Sequence, residues 1–244
     1  MRVPSSASPV RSFIEKSHRV SLDNPSGNHK LFCQSRQRLL ELAKWEGGNS
    51  ETARKLIHMA GVFTIVVAEL LGKTTLSIII VSITILYVIS EYLRLHKKNI
   101  PIITRITRLL AREDESSGWI LRPISYAVGI VVTMHLFPEP IGYASILILT
   151  LGDGFSSLIG ARFGRHPIPY NRDKTVEGSI AFFLASFFST TMLVPPPTAL
   201  IGTMMGAFIE SLPTRYSENI MVPVVSGLFM SITPVCLMGY IYTH

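Results

Sequence analysis

Cysteine is nearly absent: Cys33 and Cys236 are the only two in 244 residues. So few thiols build neither a disulfide framework nor a Cys-rich metal centre. Charge is also scarce, at 16% of residues, against 48% hydrophobic and a mean hydropathy of +0.37. That balance excludes an ordinary soluble domain, and the apolar residues are too widely distributed for a single anchor. No internal repeat and no low-complexity tract occurs. The opening MRVPSSASPVRSF lacks the apolar core of a secretory signal; its Ser and Arg suit a transit segment, although Glu15 and Asp23 soon follow.

What is present is a series of apolar runs, at 56 to 72, 74 to 90, 119 to 137, 141 to 160, 178 to 194, 197 to 213 and 220 to 242. Each approaches the ~20 residues that a membrane-spanning helix needs. The expected fold is therefore all-α, a polytopic membrane helix bundle with about seven transmembrane helices. The run 197 to 213 is the weakest, because it contains Glu210 and follows Pro195 and Pro196. Two domains are expected, a cytoplasmic N-terminal arm over 1–50 and an integral-membrane domain over 51–244. Amphipathic patterns at 36 to 45 and at 102 to 112, where Ile102, Ile103, Ile106, Leu109 and Leu110 oppose Arg105, Arg108 and Arg112, predict cytoplasmic interfacial helices.

With the basic N-terminal arm inside, the loops alternate, and of 23 Lys and Arg only Lys73 falls near the outer side. This is a strong positive-inside signal. The net charge of +7 becomes a field on one face, suited to anionic lipid headgroups and an anionic substrate. Nucleic acid is not an expected partner, since the arm has no aromatic interleaving among its basic residues.

The polar residues interrupting the runs converge on that same face. Arg54, Lys55 and His58 open the first helix, with His58 on the side of Arg54 and Lys55 by i,i+4 and i,i+3 spacing; Glu91 and Arg94 close the second. Asp153 lies in the inner part of the fourth, Lys174 and Glu177 precede the fifth, and Glu210, Glu218 and Asn219 fall between the last two. Acids that hold Mg²⁺ through oxygen, beside cations that neutralise phosphate, are the parts of phosphoryl or nucleotidyl transfer. The candidate metal ligands are Asp153, Glu91, Glu177, Glu210 and Glu218.

Plainer readings stand beside these. Arg54 and Lys55 also suit flanking anchors, and Glu91 and Arg94 suit a pair across one turn. Glu69 and Lys73, at i,i+4 on the opposite face, are expected to pair with each other and are left out of the site. No basic residue lies within a turn of Asp153 on its own helix, so its carboxylate requires a metal or a cation from another segment. Gly160 and Gly164, four apart, suit close helix packing as well as the approach of a phosphate. The loop after them carries Arg162, Arg165, Arg172 and Lys174, and Lys174 to Ser179, with Thr175 and Gly178, leads into a helix N-terminus that makes a candidate phosphate cradle. Gly72-Lys73-Thr74 looks like the end of a Walker A loop, but position 67 is Val and the outer face holds no nucleotide.

Four stretches together resemble the CTP-dependent lipid kinase family, which includes dolichol kinases, phytol kinases and fungal-type diacylglycerol kinases. They are Arg54-Lys55-Leu56-Ile57-His58, Glu91-Tyr92-Leu93-Arg94, the block from Gly152 to Ser179, and Glu210-Ser211-Leu212-Pro213 followed by Glu218-Asn219-Ile220-Met221-Val222-Pro223. The resemblance implies transfer of the CTP γ-phosphoryl group to the hydroxyl of a membrane lipid of the polyprenol, dolichol or phytol type, or of diacylglycerol. It implies Mg²⁺ or another divalent cation, with CTP as co-substrate. Asp153, Lys174 and Glu210 become the catalytic candidates. Arg54, Lys55, His58, Arg94, Gly160, Arg162, Gly164, Lys174, Thr175, Gly178 and Asn219 become the nucleotide or phosphate candidates. Where many members have two acids before the Asn, this chain has Ser217-Glu218. The implied location is the cytoplasmic face of the endoplasmic reticulum, of a bacterial plasma membrane, or of a plastid.

The competing enzyme is a CTP:phosphatidate cytidylyltransferase, whose relatives share the Asp, Gly-x-x-Phe-Gly and Lys-Thr-x-Glu-Gly pattern. Its His-Gly-Gly and Asp-Arg-x-Asp signature does not follow Ser179. A lipid transporter or scaffold requires polar residues near the midplane or on both faces, which the one-sided distribution opposes.

Overall fold

The computed structural model describes residues 52, 54–96, 119–213 and 217–233. The arm over 1–50 and the amphipathic patterns at 36 to 45 and 102 to 112 lie outside them. Each apolar run of the sequence contains a helix among the described residues. Residues 54–59 are helical and pass through a 3₁₀ turn, Ala60–Val62, into α1, Phe63–Leu71. Then come α2, Lys73–Leu95; α3, Arg122–Leu136; α4, Glu139–Leu147; a π-helical turn, Ile148–Gly152; and α5, Asp153–Phe163. A β-hairpin of β1, Pro167–Ile168, and β2, Asn171–Thr175, precedes α6, Val176–Thr190, α7, Pro196–Ser211, and α8, Glu218–Ser231.

Local chemistry sets the breaks. Gly72, at φ 83°, takes a backbone conformation that L side chains avoid, and it separates α1 from α2. Prolines stand in the first turns of α3, α4 and α7, where no intrahelical N–H is lost. The prolines before the weakest apolar run therefore start α7 rather than exclude it. Pro169 and Tyr170 turn the hairpin, whose strands pair antiparallel with Pro167 opposite Thr175 and Ile168 opposite Asn171. This hairpin replaces the expected loop and is the one departure from an all-α fold among the described residues.

The rod from Glu139 to Phe163 is the centre of the bundle. Every residue from Ile141 to Leu147 is buried, as expected of a helix that is apolar on all sides. Around it pack Ile130 and Met134 of α3, Phe182 of α6, Ala199 and Ile209 of α7, and Val222 and Met230 of α8. By contrast α2 exposes Ile78, Ile79, Val81, Ile83, Ile85, Leu86 and Ile89. Two helices, Lys73–Leu95 and Glu139–Phe163, are long and apolar enough to cross a membrane.

Alternation of the helices gathers the connections at two ends. At one, Lys73 pairs with Glu139 at 3.0 Å. This corrects the expected Glu69–Lys73 pair: the i,i+4 geometry it requires does not exist across the break at Gly72. At the other end lie the hairpin, the end of α7 and the start of α8.

Candidate active site at one end of the bundle

Asp153 is the first residue of α5, directly after the π-helical turn, and it is 6% exposed. The cation it requires comes from the first helical stretch. Lys55 Nζ donates to Asp153 Oδ2 at 2.8 Å, and His58 Nε2 lies 3.4 Å from the same oxygen. Lys55 and His58 are three residues apart, so one helical face presents both. Tyr126 of α3 fixes that face: its hydroxyl donates to the His58 carbonyl at 2.7 Å, and its ring stands 4.1 Å from the imidazole.

One turn along α5 from Asp153, Ser156 donates to Glu210 Oε1 at 2.9 Å. Lys174 donates to the same oxygen at 2.6 Å and reaches Glu218 Oε2 at 3.3 Å. Glu210 is 1% exposed, and its Oε2 is buried without a hydrogen-bond partner. Such an atom is expensive to leave unsatisfied unless a ligand completes it. Burial opposes the charge on Lys174, but the carboxylates of Glu210, Glu218 and Asp153 outweigh it and hold the ammonium well above its ordinary value. Five segments, the first helix, α5, β2, α7 and α8, thus contribute to one linked set of charges.

Other candidates have different work. Glu91 accepts from Arg94 Nε at 2.9 Å and Nη2 at 2.6 Å, and from the Ile120 backbone N–H at 3.1 Å. Both of its oxygens accept hydrogen bonds, so the pair across one turn is the observed reading. Glu177 accepts from the His166 ring at 2.6 Å and its backbone N–H at 3.3 Å, closing the base of the hairpin. Its own N–H at the start of α6 and the His166 ring lower its carboxyl to about 2. Asn219 donates to Arg122 O at 3.3 Å and Ser125 Oγ at 3.1 Å, tying α8 to α3. The Arg162 guanidinium stands 5.6 Å over the Phe163 ring. Arg54 precedes Lys55 at the head of the first helical stretch.

At the candidate cradle the structure shows a helix cap and close packing. Thr175 caps α6, accepting from the Gly178 N–H at 3.2 Å, so that donor is already engaged. A Cβ on Gly178 would meet Ser156 O at 3.0 Å and the Gly160 Cα at 3.4 Å; one on Gly164 would meet Thr175 Cγ2 at 2.7 Å. Gly160, Gly164 and Gly178 are therefore accounted for by the close crossing of α5 and α6.

Sequence reasoning missed Ser156, Tyr126 and Asn171. Ser156 carried a usable signal, its place one turn after Asp153; Tyr126 carried none, because its partner is a backbone carbonyl 68 residues away. Among the described residues no group of three metal-ligating side chains is close enough to hold an ion alone.

Comparison with known proteins gives the same family that the motifs resemble. A protein named probable phytol kinase 3, chloroplastic, from Glycine max is 34% identical over 128 residues, 45% of this chain and 40% of its own length. Phytol kinase 1, chloroplastic, of Arabidopsis thaliana is 27% identical over 142 residues, 50% of this chain and 47% of its own. CTP-dependent diacylglycerol kinase 1 of Schizosaccharomyces pombe is 26% identical over 144 residues, 52% of this chain and 66% of its own. The chain thus covers less than two thirds of each of these relatives. No protein-family profile matches the chain, and no solved structure matches it significantly.

Proposed function

We propose that this chain is an integral-membrane lipid kinase that transfers the γ-phosphoryl group of CTP to the hydroxyl of a membrane lipid alcohol. The observation that carries the reading is the buried, linked set of Lys55, Asp153, Ser156, Lys174, Glu210 and Glu218 at one end of an apolar bundle. Buried acids and lysines held by five segments are costly unless they serve a ligand, and relatives named as kinases of phytol and of diacylglycerol support phosphoryl transfer as their use. Seven spans are part of the reading, with the site on the cytoplasmic face, where CTP is found, a setting that the positive-inside distribution of Lys and Arg supports. Plastid membranes are a further setting, since relatives are named chloroplastic. A phytol-type alcohol is the first candidate acceptor, ahead of polyprenol and diacylglycerol.

In the reaction the lipid hydroxyl oxygen attacks the γ-phosphorus, the bond from that phosphorus to the β,γ-bridging oxygen breaks, and CDP leaves with the electron pair. Asp153, held by Lys55, orients the hydroxyl and accepts its proton. Lys174 exchanges a carboxylate for phosphate oxygens and neutralises the charge that develops on them. A phosphate-bound Mg²⁺ needs only one or two protein carboxylates, and the unpartnered Glu210 Oε2 with Asp153 fits that need. Held there, the ion would supply positive charge to neutralise phosphate oxygens. Anionic headgroups of the surrounding leaflet complete the set of partners, held by the exposed arginines around the hairpin.

The test incubates purified chain with γ-labelled CTP or ATP, Mg²⁺ and a panel of phytol, polyprenol, dolichol and diacylglycerol. Label transferred from CTP to an alcohol supports the proposal. Pyrophosphate release with CMP joined to phosphatidate makes the chain a cytidylyltransferase, and no label in any alcohol overturns the kinase.

A further inference from the structure

The hairpin that presents Lys174 is fastened to the end of α7 chiefly through Asn171, which makes two of its hydrogen bonds there. A helix leaves its last carbonyls without intrahelical donors, and α7 is followed by Leu212 and then Pro213, which has no N–H to offer. Asn171 supplies the missing donors. Its Nδ2 donates to Ser211 O at 3.0 Å and to Leu212 O at 3.1 Å, one amide hydrogen for each carbonyl. Asn171 is 9% exposed, so the carboxamide is shut away from competing water. Beside it the Tyr170 hydroxyl and Ser211 Oγ are hydrogen-bonded at 2.8 Å.

The position of this fastening matters because of what lies on either side. Glu210 immediately precedes Ser211 on α7, and Lys174 follows Asn171 by three residues on β2. The base of the hairpin is tied to α6 instead, through Glu177 and through the Val176 N–H, which donates to His166 O at 2.9 Å. Without Asn171 the strand would be held to α7 only by the exposed Tyr170–Ser211 contact and by Lys174 itself, and a flexible lysine tip would then sample many positions. The amide bonds to α7 fix the strand next to the acid that Lys174 must reach.

We propose that Asn171 is a positioning residue that caps the end of α7 from the hairpin and thereby holds Lys174 against Glu210 in the nucleotide-binding geometry. Its chemistry is specific. Asp is isosteric but presents only acceptors to two carbonyls, and Ser or Thr is too short and has a single donor. Asn171 itself touches no reacting atom. Its role for the nucleotide rests on the kinase reading above, whereas its fastening of the hairpin does not.

Two measurements on the full chain in detergent separate these claims. Asn171→Asp should speed trypsin cleavage after Arg172 by about tenfold, as expected when two hydrogen bonds that resist local opening are lost. Tyr170→Phe, at an exposed position that cannot unfold the bundle, should speed it by about twofold to threefold. In the γ-labelled CTP assay Asn171→Asp should raise the KM for CTP by about tenfold and leave the KM for the alcohol unchanged. A variant that merely lost folded protein would lower kcat and leave both constants alone. Unchanged trypsin protection in both variants removes the fastening, and a fall in kcat with unchanged KM for CTP removes the positioning role. Wild-type protein that transfers no phosphate to any alcohol removes the kinase reading, and the proteolysis still decides the fastening.

Discussion

Lys55 and Asp153, 98 residues apart in sequence, meet at 2.8 Å with both side chains largely buried. The contact joins the first helical stretch to α5 and sets the orientation of the carboxylate on which the proposed chemistry turns. A buried pair of this kind adds little net stability over an apolar pair, yet breaking it from one side leaves a charge with no partner.

Asp153→Asn should therefore reduce phosphoryl transfer at least about a hundredfold while the protein remains folded. Lys55→Met should destabilise the bundle by about 3 kcal/mol, because it strands the carboxylate, and the double variant should recover most of that loss. Thermal unfolding in detergent and the γ-label assay read the two effects separately. Near-normal turnover in Asp153→Asn would remove the central assignment.

The glycines at the crossing of α5 and α6 let the two helices approach closely, and their part in phosphate binding is decided by substitution. Gly178→Ala places a Cβ 3.0 Å from the Ser156 carbonyl, a backbone atom that cannot swing away. The expected result is a loss of about 1 to 3 kcal/mol in stability, with the KM for CTP unchanged in the protein that remains folded. A raised KM without loss of stability would return Gly178 to the phosphate site.

The helices were legible because an apolar run leaves a chain little choice: Ile141 to Leu147 is buried on every side, and the run from 220 starts two residues inside α8, Glu218–Ser231. The need of Asp153 for a distant cation was legible too, since its own helix offered none. The identity of that cation was not, because Arg54, Lys55 and His58 lie on neighbouring positions and only the crossing of two helices decides which one arrives. The hairpin was invisible for a different reason. Asn171–Thr175, NRDKT, has no apolar alternation, and its strand conformation comes from pairing with Pro167 and Ile168 and from the hold of Asn171 on α7. Glycines four apart carry the same spacing whether a helix or a phosphate approaches them.

At the opposite end of the bundle, Gly72 and the Lys73–Glu139 pair should respond in opposite proportion to their appearance. Glu139 is 58% exposed in its side chain, so Glu139→Gln should change stability by less than about 1 kcal/mol. Gly72→Ala has open space around the new Cβ, but φ 83° is unfavourable for it, and about 1 to 2 kcal/mol should be lost. Denaturation midpoints of the two variants give the comparison; a larger loss in Glu139→Gln would show that the pair, not the break, organises this end.

Lys174 provides a pH signature for the site. Its folded-state value lies above the ordinary 10.5, so the stability contributed by its pairs with Glu210 and Glu218 is fully present below about pH 10.5 and is lost only as pH rises past that point. The difference in melting temperature between wild type and Lys174→Met should accordingly stay constant from pH 7 to pH 9. Glu177 behaves in the other sense. Its carboxyl is lowered from 4.5 to about 2, so the contribution of its contact with His166 is present above pH 4.5 and disappears as pH falls through about 2. The protection of hairpin amides, exchange relative to its intrinsic rate at each pH, should fall over that acid range in wild type and stay constant in Glu177→Gln. Should the Lys174→Met difference collapse between pH 7 and 9, the lysine would be losing its proton inside the site, and its role as a fixed cation for phosphate oxygens would fail with it.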